Sequence, residues 1–200
     1  MSRARFTLLG IGAAASPRYP PAGLLIETRT ARVALDGGPG AEPKGPVDAW
    51  LVTDEKAELM SALRRLARAR DLSVTVDRID ESGLVVEPRP VVHTSHPAYG
   101  YRIQAGGRNV VWAPEFLTFP DWADGADLMF AEGSSWHRPI RFAHGAGGHA
   151  PVLAVADEAR RRGVRRLVFA HVGRPTLRAL DRGERPPYGE IGQVGRTYLA

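Results

Sequence analysis

Residues 47–58, VDAWLVTDEKAE, run from an apolar strand over 47–53 through a charged turn into a helix. A strand that feeds a helix directly belongs to an α/β architecture. In open α/β sheets, ligands gather in the crevice at the carboxyl ends of the strands. Asp54, Glu55, Lys56 and Glu58 crowd this turn. The first N–H groups of a helix are unpaired and its dipole is positive there, so acids suit the position without any further role. Read in isolation, Thr53 or Asp54 is a helix cap. Read with the rest of the chain, the turn acquires candidate partners.

Working outward, residues 55–70 predict an amphipathic helix. Leu59, Met60, Leu63, Leu66 and Ala67 recur at helical spacing, opposite Arg64, Arg65, Arg68 and Arg70. Upstream, residues 5–9 read as a first strand. Residues 24–28 and 31–35 read as a hairpin, and Asp36-Gly37-Gly38-Pro39-Gly40 breaks the chain after it. Downstream come short strands near 72–76, 83–86 and 91–93, then a hairpin over 99–104 and 109–112. A buried strand over 126–131 precedes a helix over 151–162 with Gly163 as its C-terminal stop, and a strand over 166–170 delivers His171. The Pro- and Gly-rich tail reads as loop until a last strand at 194–199. Hairpins followed by two strand–helix–strand units suggest a β-sandwich flanked by helices.

A chain of 200 residues is long enough for one well-buried core, so a single domain over 1–200 is expected. There are no cysteines, which excludes disulfides and thiolate metal sites. Any metal must be held by histidines and carboxylates. The net charge is +5, but the basic residues are scattered arginines and the only lysines are Lys44 and Lys56. The run at Arg160, Arg161 and Arg162 falls at a helix end, where cations suit the dipole, so nucleic acid is not the expected partner. No apolar run reaches the roughly 18–20 residues of a membrane span. Arg3 and Arg5 before FTLLGIGAAA imitate a secretion signal, but glycines interrupt the run. A first strand, a glycine-alanine loop and a cytoplasmic protein are expected.

The six histidines, His93, His96, His137, His144, His149 and His171, all follow residue 92, several at strand ends or in loops. A cluster of that kind is the layout of a metal or acid/base site. Glu115 ends the strand over 109–112 and belongs to the same edge. Gly147-Gly148-His149 precedes a helix and would aim N–H groups and an imidazole at an anion.

In chain order, LLGIGAA, LLIETRTARVALDGGPG, LVTDEKAELM, VVHTSHPAYGYRI, VVWAPE, GGHAP and LVFAHV resemble segments of the metallo-β-lactamase fold superfamily. TDEKAEL, APEF, AEGSSW and FAHVGRPT add a nearer likeness to the branch that holds RNase Z-like phosphodiesterases and quinone-cofactor biosynthesis proteins. The resemblance implies an αββα sandwich. It sets LVTDEKAELM where the family carries its H-x-H-x-D-H metal motif. Asp54 then stands for the first histidine, Lys56 for the second, Glu58 for the aspartate and Leu59 for the last histidine. His93 or His96 matches the next ligand, Glu115 the bridging aspartate, His171 the final ligand and His149 the proton-donating histidine.

A catalytic zinc needs about three protein ligands and an open position. Asp54, His93 or His96, Glu115 and His171 still supply that number, whereas Leu59 cannot ligate and Lys56 would repel a dication. The expectation is at most one zinc, manganese or iron ion. The expected activity is hydrolysis of a small ester or phosphoester, with His149 as acid/base. The alternatives are a metal-free relative that binds a small anionic ligand or a protein partner, with Lys56 as substitute cation, and an accessory role in quinone-cofactor biosynthesis. Asp54, Glu115 and His171 should share one edge. Lys56 should either meet Asp54, Glu58 or Glu115 in the crevice or lie in solvent beside Glu55.

Overall fold

The computed structural model describes residues 4–81 and 83–199, so Arg3 lies outside the described residues. An antiparallel meander opens the first sheet: β1 (Arg5–Gly10), β2 (Gly23–Glu27) and β3 (Arg32–Asp36). β4 (Ala49–Leu51) joins parallel to β3, and after α1 (Met60–Arg68) the chain adds β5 (Val74–Thr75) parallel to β4. The second sheet starts with antiparallel β6 (Ile79–Glu81), β7 (Leu84–Val91), β8 (Ala98–Ala105) and β9 (Arg108–Ala113). It turns parallel with β10 (Leu128–Gly133) beside β9. A two-residue ribbon follows, β11 (Ile140–Arg141) against β12 (Gly148–His149). Then come α2 (Val152–Arg161), β13 (Leu167–Val172), α3 (Arg174–Asp181), β14 (Glu190–Ile191) and β15 (Thr197–Leu199). The two sheets run β15-β1-β2-β3-β4-β5 and β14-β13-β10-β9-β8-β7-β6.

Strand alternation sets the layers, because successive side chains face opposite sides of a sheet. Leu24, Ile26, Val33, Leu35 and Leu51 point inward and meet Tyr101, Ile103, Trp112, Phe130 and Val168 from the second sheet. Between them Leu25, Ala34 and Trp50 point outward and bury Met60, Leu63 and Ala67 of α1. On the far side Val111, Met129 and Phe169 bury Val152, Val155, Ala156 and Ala159 of α2. The result is helix, sheet, sheet, helix: the expected αββα sandwich.

The structure corrects three local expectations. The helix after the central strand starts at Met60, with Leu59 as a cap that makes no side-chain bond and no acid in its first turn. Residues 52–59 form a loop, so neither Thr53 nor Asp54 caps a helix. Asp54 instead closes its own turn, where the Lys56 N–H donates to its Oδ1 at 2.7 Å. The tail expected to be loop contains α3. Pro175 sits in its first turn, where a missing N–H costs nothing, and Leu177 and Ala179 are buried. β13 runs to Val172, so His171 lies inside the strand, with a φ of 107°. A non-glycine residue held there is strained by its surroundings, and such strain gathers at functional sites.

Candidate metal and acid/base site

The carboxyl ends of β3, β4, β7, β9, β10 and β13 open onto one cavity of about 670 Å³. Asp54, Glu115 and His171 all line it, on one edge of the sandwich as expected. Asp36 fastens the two sheets beneath. The Thr53 N–H and the Trp112 Nε1–H donate to its carboxylate at 2.8 and 2.7 Å, so β3, the end of β4 and β9 share one acceptor. Burial pushes the Asp36 carboxyl up to about 6, against the hydrogen bonds from Trp112 and Thr53 that hold it down.

Glu115 Oε1 lies 2.9 Å from His171 Nε2 and 3.7 Å from His93 Nε2. The other ring nitrogen is already engaged in both cases. His93 Nδ1–H donates to the Gly148 carbonyl at 3.0 Å. His171 Nδ1–H reaches Ser134 Oγ at 2.8 Å and Glu132 Oε1 at 3.4 Å. Glu132, fully buried, also accepts His149 Nδ1–H at 2.7 Å and the backbone N–H groups of Phe116 and Ser134. Both nitrogens of His171 therefore face acceptors, which is the environment of an imidazolium. Burial opposes that charge, but Glu115 and Glu132 outweigh it and push His171 up to about 10. Burial likewise raises both carboxyls, but His171 with His93 outweighs it at Glu115, and His149 with His171 at Glu132, so both end below the usual range.

Glu132 was not among the residues singled out from sequence. Its signal is an acid inside the otherwise apolar stretch LMFAEG, since a lone carboxylate in a buried strand must have partners.

His93, Glu115 and His149 each place a donor atom within 4.8 Å of one another, and so do Glu132, His149 and His171. The donors are nitrogen and oxygen only, a set that suits zinc, manganese or iron. Histidines whose second nitrogen is held by a carbonyl or carboxylate are oriented as metal ligands are. The His and Glu donors gathered here could hold a metal ion.

His96 and Asp54 stand apart from these groups. His96 Nε2 lies 2.8 and 3.0 Å from the two Asp54 oxygens, and both residues line the same cavity. Lys56 lies exposed on the rim, and its ammonium forms no ion pair with Asp54, Glu58 or Glu115 among the described residues. The glycine-histidine turn keeps His149 beside the cavity but does not offer a row of free N–H groups. Gly148 N–H donates to the His93 carbonyl at 2.8 Å and Ala150 N–H to the Phe116 carbonyl at 2.7 Å. Gly147 passes so close to His93 that a Cβ would stand 2.0 Å from its carbonyl oxygen, and its φ is 132°. The glycines are there to let two backbones touch and so hold His93 and His149 side by side.

This sandwich, with its donors gathered at one edge, has the metallo-β-lactamase fold. Structure comparison bears that out over the whole length. The chain is similar to the metallo-β-lactamase fold protein YhfI from Bacillus subtilis, with a TM-score of 0.77 and 14% identity over 100% of both chains. It is similar to a diphosphatase from the PhnP family, with a TM-score of 0.73 and 16% identity over 99% of this chain and 97% of that one. It is similar to Zn²⁺-bound PqqB from Methylobacterium extorquens, with a TM-score of 0.71 and 13% identity over 97% and 99%. At these identities the likeness is one of fold. No protein-family model and no curated protein sequence matches the chain. No helix among the described residues is long and apolar enough to cross a membrane.

Proposed function

We propose that this chain hydrolyses a small ester or phosphoester and works with at most one metal ion, zinc, manganese or iron. The observation that carries this reading is the convergence of His93 Nε2 and His171 Nε2 on one Glu115 oxygen while their Nδ1 atoms are held elsewhere. His93, Glu115 and His171 would hold the ion, which when bound supplies charge to polarise the ester and to acidify a water. Glu132 fixes His149 through Nδ1, which leaves Nε2 to take a proton from the attacking water. Leu59, Leu63, Ile140 and Phe142 give the cavity an apolar wall. A diphosphatase and a zinc-bound protein among the structural neighbours support the reading.

A second reading rests on His171. As an imidazolium between Glu115 and Glu132 it offsets one of their two charges without any metal, which favours a metal-free relative that binds a ligand or a protein partner.

Metal analysis of protein purified without chelator or histidine tag separates the two, combined with assays on aryl and alkyl esters and phosphodiesters. The first reading expects one bound equivalent and turnover that Glu115→Gln abolishes. No retained metal, and no turnover with added zinc, manganese or iron, would leave the second.

A further inference from the structure

The cavity that holds the Glu115 cluster is also lined by an imidazole–carboxylate pair that the hydrolysis described above leaves unused. Asp54 follows β4 of the first sheet and is 5% exposed. His96 lies in the loop between β7 and β8 of the second. His96 Nε2 bonds both Asp54 oxygens, so the proton on that nitrogen is committed to the carboxylate. The pair is braced on both sides. Asp54 Oδ1 also accepts the Lys56 N–H at 2.7 Å, and Thr94 Oγ1 donates to the His96 carbonyl at 2.9 Å. Thr53, next to Asp54, is tied to Asp36 through its N–H and its hydroxyl. His96 Nδ1 has no hydrogen-bond partner among the described residues, and His96 lines the cavity that holds His93, Glu115, His149 and His171. A carboxylate that fixes one ring nitrogen leaves the other as the site of proton exchange. The His96 side chain is 26% exposed, enough to regain a proton from solvent between turnovers.

We propose that His96, positioned by Asp54, is the proton donor to the leaving group, and that the substrates are esters of alkyl alcohols. This rests on the hydrolytic reading above. In the step, the oxygen of the attacking water bonds to the acyl carbon or phosphorus and its proton passes to His149 Nε2. The bond from that centre to the leaving oxygen breaks, and the leaving oxygen takes the proton from His96 Nδ1. His149 and His96 then return to their starting states by exchange with solvent. An alkoxide is a far stronger base than a nitrophenolate, so a donor matters for the first and hardly for the second.

The test uses matched substrates that differ only in leaving group, ethoxide against p-nitrophenoxide, as a carboxylic ester pair and a phosphodiester pair. His96→Gln should lower kcat/KM for the ethyl substrate by about 100-fold or more and for the nitrophenyl substrate by no more than about threefold. Asp54→Asn should show the same selectivity with a smaller loss, and it carries the test if His96→Gln fails to fold. Bound metal should match the parent protein in both, and the assays are run well below each variant's own melting temperature. Equal losses on the two leaving groups would overturn the proposal. So would a parent protein that binds two metals and loses one in His96→Gln, since His96 would then be a ligand. A parent that cleaves nitrophenyl but not ethyl substrates sinks the His96 role alone, whereas no hydrolysis of either sinks the hydrolytic reading with it.

Discussion

Glu132, wholly buried, collects four donors: two backbone N–H groups and the Nδ1–H of His149 and of His171. Taking away one side of a buried charge pair costs about 3–5 kcal/mol because the other charge is left without compensation. Glu132→Gln keeps the shape and removes the charge, so a loss of about 3 kcal/mol in denaturant unfolding is expected. Metal affinity should fall about 10–100-fold, since the groups that aim the ligands are disturbed. His171 sets a pH dependence of its own. Its imidazole is raised from 6.5 to about 10 on folding. The native state therefore binds that proton more tightly than the unfolded chain. The stabilisation is complete below about pH 6.5 and is lost as pH climbs toward 10. Melting temperatures of chelator-treated protein should fall across that range, and the fall should shrink in Glu115→Gln. His93, Glu115, His149 and His171 were legible in the sequence because histidines and an acid stood at the ends of apolar runs. Glu132 was not, because a run of buried strand residues hides a carboxylate whose partners come from elsewhere in the chain.

At the scale of elements, apolar spacing missed the short β6, β11, β12 and β14 but located the longer strands and two of the three α-helices among the described residues. Their ends were less legible. A helix beginning at residue 55 is what the pattern of leucines suggests, but Asp54 turns the chain on its own side chain and delays the helix to Met60. That delay moves Lys56 from a helix into a rim loop, where its ammonium has solvent around it. Lys56→Ala should therefore change stability by no more than about 0.5 kcal/mol. Leu63→Ala, seven residues on, opens a hole between α1 and Trp50 and should cost about 2–5 kcal/mol. Urea titrations of the two variants side by side check the contrast. α3 escaped notice for a different reason. Arg-Pro-Thr after glycine looks like a break, yet a proline in the first helical turn removes an N–H that has no partner in any case.

Across the whole molecule, two sheets each contribute part of the cavity, and Asp36 holds them in step through Thr53 and Trp112. Asp36→Ala leaves the indole N–H and the Thr53 donors without an acceptor. At about 1–3 kcal/mol for each orphaned group, a loss of at least about 2 kcal/mol is expected. The carboxyl is raised from 3.8 to about 6 on folding, so its contribution to stability declines as pH rises from about 4 to 6. That decline should vanish in the variant, as read by unfolding midpoints at each pH. The order of segments along the chain was enough to read the αββα layering. The seam was beyond it, because nothing in the sequence pairs an aspartate with an indole 76 residues away.

His149 rides on neither large sheet but on β12, which meets β11 through two residue pairs, Ile140 with His149 and Arg141 with Gly148. Both residues of β11 are exposed, so that strand can peel from β12 while the sandwich stays intact, because opening free energies within one protein range from near zero up to that of global unfolding. The amide of Phe142, which donates to the Gly147 carbonyl, should trade its hydrogen for deuterium long before that of Met129 in β10. β12 itself stays, tied through Gly148 to the His93 carbonyl, through Ala150 to the Phe116 carbonyl and through His149 to Glu132, so mild denaturant should uncover this wall of the cavity before it removes the group assigned to move protons.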